Sequence, residues 1–347
     1  MSLFSALDIE LPILQAPMAG VQGSELAIAV SQAGGLGALP CAMLTPEVMA
    51  EELQRIRQAT TRPLNVNFFC HVPPTPETGQ LKRWHQALAS YYAEYGLDID
   101  KVEPGAGRRP FDAAACDALE PFQPEVVSFH FGLPEPALVE RVKGWGAMVL
   151  ASATTVEEAL WLEARGADAV IAQGVEAGGH RGLFLSADVT TQLGTFALVP
   201  QIVSAVSVPV IAAGGIADAQ GVRAAMALGA TAAQVGTAFL CCPEATTSAL
   251  HRQALQSEAA RHTALTNLYT GRPARGIMTR LMRELGPLGD VAPPFPLATA
   301  AIGPLRSAAE AAGCSDFSPL WAGQNASACR TRPAADVVRA LAAGVLP

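Results

Sequence analysis

One stretch of the chain gathers residue types suited to proton transfer beside a bound ligand: Gln173-Gly-Val-Glu-Ala-Gly-Gly-His-Arg-Gly182. Histidine is the side chain whose proton moves near neutral pH. The adjacent Gly178 and Gly179 free the backbone to carry the His180 imidazole over a ligand. Arg181 reads as a solvated or salt-bridging residue. Two further stretches suit an anion: Ala213-Gly-Gly-Ile216, with Gly214 and Gly215, and Gln234-Val-Gly-Thr-Ala-Phe239, with Gln234, Val235, Gly236 and Thr237. Glycine at a strand end lets amide N–H groups close on a phosphate, and a following helix adds its positive end. A phosphate held by amides needs no lysine, and this chain has only Lys82, Lys101 and Lys143.

Other polar residues fall at the ends of apolar runs. Asn67 and Gln173 each offer a donor and an acceptor together, a match for the uracil-like edge of a flavin, although capping a turn would occupy them equally well. In Ala16-Pro-Met-Ala-Gly20, Pro17 sets the turn and small neighbours, with Met18 and Ala19, let backbone approach a flat ring. His71 and His130 also end apolar runs and could face the same ligand. The seven cysteines lack metal-type spacing, and Cys241-Cys242 reads as a buried apolar pair. No Gly-x-Gly-x-x-Gly and no Gly-x-Ser-x-Gly occurs, so neither a Rossmann nicotinamide domain nor a hydrolase elbow is supported, and no metal is expected.

Eight short apolar runs position these residues: Pro12–Ala16, Leu36–Leu39, Leu64–Phe68, Val126–His130, Met148–Ser152, Ala169–Gln173, Pro209–Ala213 and Ala232–Gly236. Continuous rather than alternating apolar character means burial on both faces, as parallel sheets require. Helix signals lie between them. Thr45 precedes Pro46 at a helix start, Thr155 and Glu158 have capping-box spacing, and Gly166 and Gly229 each close a helix. Gly166-Ala-Asp-Ala and Gly229-Ala-Thr-Ala then open similar segments. Eight βα units predict a TIM (β/α)8 barrel over residues 1–242, with a doubly wound open sheet as the competing architecture. Function is then expected at the carboxyl ends of the strands.

Two regions depart from the alternation. Residues 71–120, with Pro73, Pro74, Pro76, a helical Trp84–Tyr95 stretch and a Gly/Arg/Pro turn at 104–110, form an insertion expected over the barrel mouth. Residues 243–315 make a helical then Pro/Gly-rich extension, for which a structural cap and a functional lid are equally compatible, and residues 316–347 are expected to pack back on the barrel. With 50% hydrophobic and 16% charged residues, the chain has ample core and is not disordered. Its net charge of −8, without any basic run, argues against nucleic acid and anionic membrane surfaces as partners. The amino terminus shows no basic n-region followed by a long apolar stretch, and a reducing cytoplasm fits the cysteines.

Ala16–Gly20, Glu176–Gly182, Ala213–Ile216 and Gln234–Leu240 together resemble the nitronate monooxygenase family, formerly called 2-nitropropane dioxygenases. Gly271–Gly276 and Leu320–Gln324 are similar too, so the resemblance runs from about Pro12 to the carboxyl terminus. It implies a TIM barrel binding FMN at Asn67, Gln173, Gly178, Gly215 and Gln234 to Thr237, with Met18 and Ala19 near the ring and His180 as the active-site histidine. The implied reaction oxidises alkyl nitronates, such as propionate 3-nitronate, with O2 to carbonyl compounds and nitrite. A protonated His180 could stabilise anions; a neutral one could take an α-proton from a nitroalkane. An NAD(P)H-dependent FMN reductase of the enoyl or quinone type shares much of the pattern and is the alternative, with a flavin carrier third. In the segment Pro294–Gly303, Phe295, Thr299 and Gly303 stand where the family often carries two tyrosines and a lysine. The expectation is a less polar pocket favouring neutral-tailed nitronates. Oligomeric state is not legible.

Overall fold

The computed structural model describes residues 7–103 and 108–345, so part of the turn expected at 104–110 lies outside the described residues. Eight strands form one parallel sheet: β1 (Ile13–Gln15), β2 (Gly37–Pro40), β3 (Leu64–Phe69), β4 (Val126–His130), β5 (Met148–Ala153), β6 (Ala169–Gln173), β8 (Val210–Ala213) and β9 (Ala232–Val235). Their order is β1-β9-β8-β6-β5-β4-β3-β2. The ring closes where Gln15 N–H donates to Leu36 O and Leu36 N–H donates to Ile13 O, each at 2.9 Å. The eight apolar runs are therefore the eight strands of a barrel, not of an open sheet.

Burial on two faces explains those runs. Val126, Leu150 and Ile171 point into the barrel with Leu14, Leu36 and Ile211. Their neighbours Val127, Val149 and Val170 point outward against Leu53, Ile56 and Ile202 of the surrounding helices. Both halves of the two-residue strand period are thus apolar. Helices α1 (Ser24–Gln32), α2 (Pro46–Ala59), α3 (Thr78–Glu94), α4 (Ala113–Leu119), α5 (Pro136–Gly144), α6 (Val156–Glu163), α7 (Thr195–Ala205) and α8 (Ala219–Ala227) connect the strands. Thr45 caps α2 by accepting from Val48 N–H at 3.3 Å. Gly166 and Gly229 end α6 and α8 with φ of +90° and +96°.

The capping box at α6 forms only half. Thr155 Oγ1 accepts from Glu158 N–H at 3.2 Å. The Glu158 carboxylate does not turn back to Thr155; it accepts from Thr154 N–H at 2.7 Å and from Phe184 N–H at 2.6 Å. A buried carboxylate needs several donors, and the distant 183–185 segment supplies them better than its own helix end does.

Beyond β9 come α9 (Ala249–Leu255), β10 (Thr263–Thr266), β11 (Ala274–Ile277), α10 (Arg280–Leu285), α11 (Thr299–Ala311) and α12 (Ala334–Ala342). A second, antiparallel sheet runs β10-β11-β7, where β7 is Gly179–His180. The long α3 does not pack as an ordinary barrel helix. Its Trp84, Leu88 and Tyr92 join Ala298, Ile302 and Leu305 from the α11 region in a separate core. Tyr92 Oη donates to Ala301 O at 2.6 Å and Trp84 Nε1 to Ala298 O at 3.3 Å. Burial on this scale makes truncation of such a tryptophan cost about 3–5 kcal/mol. It holds the segment after β3 and the segment after β9 together. The α12 helix packs Val337, Val338 and Leu341 against Ile13, Leu26 and Val222.

Candidate active site

The carboxyl ends of the barrel strands surround a cavity with about 1390 Å³ of empty space, its open mouth included. Met18, Ala19, Asn67, Gln173, Gly178, Gly179, His180, Gly214, Gly215, Gln234, Gly236 and Thr237 all line it. Among the cofactor residues expected from the sequence, Val235 does not. Its side chain is buried with Ile13, Phe239 and Val338 on the outer face. Successive strand residues point to opposite faces, so turning Gln234 inward sends Val235 outward.

The turns after β8 and β9 suit an anion. Gly214 and Gly215 hold φ of +118° and +71°, the left-handed region that glycine tolerates. A Cβ on Gly214 would also stand 2.8 Å from Thr195 Oγ1. Among the described residues, no protein acceptor takes the N–H of Gly215 or Gly236. The nearby Gln234 Oε1 is buried without a partner. Unspent donors and an orphaned acceptor facing one cavity are what a site filled by a polar ligand leaves when protein atoms alone are counted. Asn67 donates to Ser128 O and Ser128 Oγ at 3.1 and 3.0 Å, which orients its amide at the cavity wall.

His180 is placed by a strand rather than by a flexible glycine hinge. In β7 it pairs with Ala274 of β11. Gly178 is required for packing, since a Cβ there would meet Ala322 C at 2.6 Å. The Gln173 side chain spans the loop, donating to His180 O at 3.0 Å and accepting from Gly182 N–H at 2.8 Å. His130 Nε2 lies 3.1 Å from the same carbonyl, which can only accept, so this nitrogen carries the proton. Arg181 is neither solvated nor salt-bridged. It is fully buried and donates to Gln173 O at 2.6 Å, Gly174 O at 2.7 Å and Gln192 Oε1 at 2.9 Å. Strand pairing turns adjacent side chains apart, so His180 on the cavity puts Arg181 into the protein, where the loop's own carbonyls satisfy it.

The His180 ring touches Thr270 Oγ1 through Nε2 at 3.0 Å. The Phe295 and Trp321 ring centroids lie 5.4 and 5.6 Å from it. Desolvation, then the positive charge of Arg108, holds its pKa well below the usual histidine value. Burial pushes His130 down to about 3 and His251 down to about 4. The three imidazoles lining the cavity are therefore neutral at pH 7. No aspartate or glutamate is among the described lining residues, so Arg108 brings the one fixed charge of that lining.

The family described as "Nitronate monooxygenase" matches residues 2–344. The chain belongs to the nitronate monooxygenase family. It is 42% identical to a nitronate monooxygenase of Pseudomonas aeruginosa over 96% of both chains. It is 37% identical to a probable nitronate monooxygenase of Bacillus subtilis, over 90% of this chain and 89% of that one. Among solved structures, a nitroalkane oxidase from Streptomyces ansochromogenes aligns with a TM-score of 0.91 at 41% identity, covering 99% and 98% of the two chains. FabK from Thermotoga maritima aligns with a TM-score of 0.72 at 28% identity over 98% and 94%.

The Leu320–Gln324 segment of this family member crosses beside the two glycine turns. Gly323 N–H donates to Thr237 Oγ1 at 3.0 Å, and Asn325 Nδ2 donates to Gly215 O at 3.2 Å. Sequence reading missed several lining residues, including Arg108, Phe69, Ser128, His251 and Trp321. Arg108 corrects the expectation of a cavity without a cation. Its only sequence signal was the Gly/Arg/Pro turn in which it sits. The Cys241-Cys242 pair is fully buried, as an apolar pair should be. Among the described residues no group of three or more His, Cys, Asp or Glu could hold a metal ion, and no helix is long and apolar enough to cross a membrane.

Proposed function

We propose that this protein oxidises alkyl nitronates, and nitroalkanes after their deprotonation, with O2 to carbonyl compounds and nitrite, using FMN. The observation that carries the reading is a neutral His180 held by β-pairing at a cavity that glycine turns with unspent amides also line, in a chain 41% identical to a nitroalkane oxidase along its length. The residues present fit FMN. The turns at Gly214–Gly215 and Gly236–Thr237 would hold the phosphate, Asn67, Gln173 and Gln234 the polar edge of the ring, and Met18 and Ala19 its face. The chemistry that bound FMN supplies is acceptance of an electron from the nitronate and its return to O2.

The protein's own part is positioning and proton transfer. We assign the Thr270 hydroxyl proton to Arg272 O, 3.4 Å away, so that the hydroxyl oxygen accepts from His180 Nε2–H. That assignment leaves Nδ1 with the free lone pair. A nitroalkane entering the cavity loses its α-proton to Nδ1 and becomes the nitronate. A preformed nitronate omits that step. The rings of Phe69 and Trp321, which line the cavity beside His180, keep the reacting carbon out of bulk water.

The test is direct. Heat-released cofactor should chromatograph as FMN, and an oxygen electrode should register uptake with ethyl nitronate. His180→Ala should lower kcat/KM for nitroethane by ~10²-fold, the usual worth of a positioned base, with a smaller loss on ethyl nitronate. Anaerobic bleaching by NADH without response to any nitronate would transfer the protein to the reductase reading.

A further inference from the structure

We infer that Arg108 is a specificity-determining residue that binds a carboxylate carried on the substrate away from its reacting carbon. The inference deepens the proposed nitronate oxidation and rests on it for the identity of the reacting group.

Arg108 lines the cavity on the His180 side, not at the glycine turns. Its guanidinium carbon stands 5.5 Å from the centroid of Phe295, and that ring is 5.4 Å from the His180 ring. The cation and the proposed base therefore pack against the same aromatic ring. Both line the same cavity, so a short carbon chain with its reacting end at His180 can carry its other end to the guanidinium. Nη1 donates to Thr299 Oγ1 at 3.3 Å, and Thr299 Oγ1 in turn donates to Tyr269 O at 3.3 Å. Among the described residues, the Nη2 group has only the sulfur of Met43, at 4.0 Å, within reach. Arginine carries five N–H donors, so most of this fork is unspent.

Arg108 takes part in no ion pair among the described residues, and no carboxylate is found among the described cavity lining. Other arginines here do find carboxylates: Arg141 reaches Asp117 and Arg280 reaches Glu94. A partly desolvated cation without a counterion is costly, and its planar fork matches a carboxylate in two-point contact. Thr299 and Phe295 hold that fork in place, which lowers the cost of ordering it on binding. The neutral residues of the 294–303 segment thus support a cation delivered from the insertion, and the pocket selects for an anionic tail rather than against one.

The experiment compares propionate 3-nitronate with propyl-1-nitronate, which has the same carbon count and no carboxylate, in wild type and in Arg108→Met and Arg108→Lys. Arg108→Met should raise KM for propionate 3-nitronate by roughly ten- to a hundredfold, the worth of a charge-assisted contact, and leave propyl-1-nitronate within about twofold. Arg108→Lys should fall between, keeping the charge but losing the fork. Normal turnover of propyl-1-nitronate shows that the variants fold. Calorimetric titration of the holoprotein with succinate supplies a readout free of turnover: wild type should bind it and Arg108→Met should bind it at least tenfold more weakly. Equal KM changes for both nitronates, or succinate binding unaffected by the substitution, would overturn the assignment. Arg108-dependent succinate binding in a protein that oxidises no nitronate would keep the subsite and remove the reaction.

Discussion

Thr270→Val separates a base whose proton is placed by the fold from a histidine that merely lines a pocket. In the structure, His180 Nε2 meets Thr270 Oγ1 at 3.0 Å, and Thr270 is 3% exposed, so water cannot replace a lost hydroxyl. Valine keeps the shape and removes the acceptor. Leaving the Nε2–H group buried and unsatisfied would cost about 1–3 kcal/mol. A neutral imidazole escapes that cost by moving its proton to Nδ1, which leaves the basic lone pair facing the methyl groups of the substituted side chain. The tautomer able to take the α-proton then becomes the minor one by the same free energy, roughly one to two decades in population at 1.4 kcal/mol per decade. On an oxygen electrode, kcat/KM for nitroethane should fall by about that factor, while preformed ethyl nitronate should lose no more than about twofold. Thr270→Ser, which restores the hydroxyl, should restore the nitroethane rate. Equal losses on both substrates, or none on either, would refute the assignment of Nδ1 as the base.

Two further outcomes follow from the geometry. Gly215→Val puts a β-branched residue at φ +71°, with its Cβ 3.4 Å from the Glu176 side chain, so the amide cradle distorts and FMN content per chain should drop. Gly289→Val, at a glycine with open space around its Cβ position, should keep wild-type flavin, and equal flavin contents would remove the phosphate turn from the argument. The buried histidines predict acid lability. His71, His130 and His251 have folded-state pKa values of about 4, 3 and 4, below the ordinary value of ~6.5 that they regain on unfolding. The unfolded chain therefore binds more protons, and the stability these groups contribute above pH 6.5 is lost as pH falls through the window from 6.5 towards 4. For His130 the loss by pH 5 is about 2 kcal/mol. Urea midpoints measured from pH 7.5 to 5 should fall steadily, and a constant midpoint would contradict the neutral assignment.

The two irregular regions meet where the proposed substrate sits. The segment after β3 brings Arg108, and the segment after β9 brings Phe295, Thr299 and Thr270. The aromatic core around Trp84 and Ile302 holds them in register. Specificity at this mouth depends on two stretches separated by more than half the chain, which explains why the 294–303 segment read alone gives a neutral pocket.

The sequence by itself determined the barrel, because its signals are local. An apolar run such as Ala169–Gln173 is legible wherever a strand is buried on both faces, and a helix closed by Gly229 needs only its own backbone. The glycine turns at Gly214–Gly215 and Gly236 were legible for the same reason, since left-handed or crowded backbone admits few other residues. Alternation along the strand turns the Val235 side chain away from the cavity that Gln234 enters. What only the tertiary structure decided is non-local. The proton position on His180 depends on Thr270, the burial of Arg181 on the carbonyls of its own loop and on Gln192, and the place of Arg108 on a partner 191 residues away. Side-chain charge, tautomer and access are set by neighbours that the chain brings together only after it closes the barrel and folds the two irregular segments across its mouth.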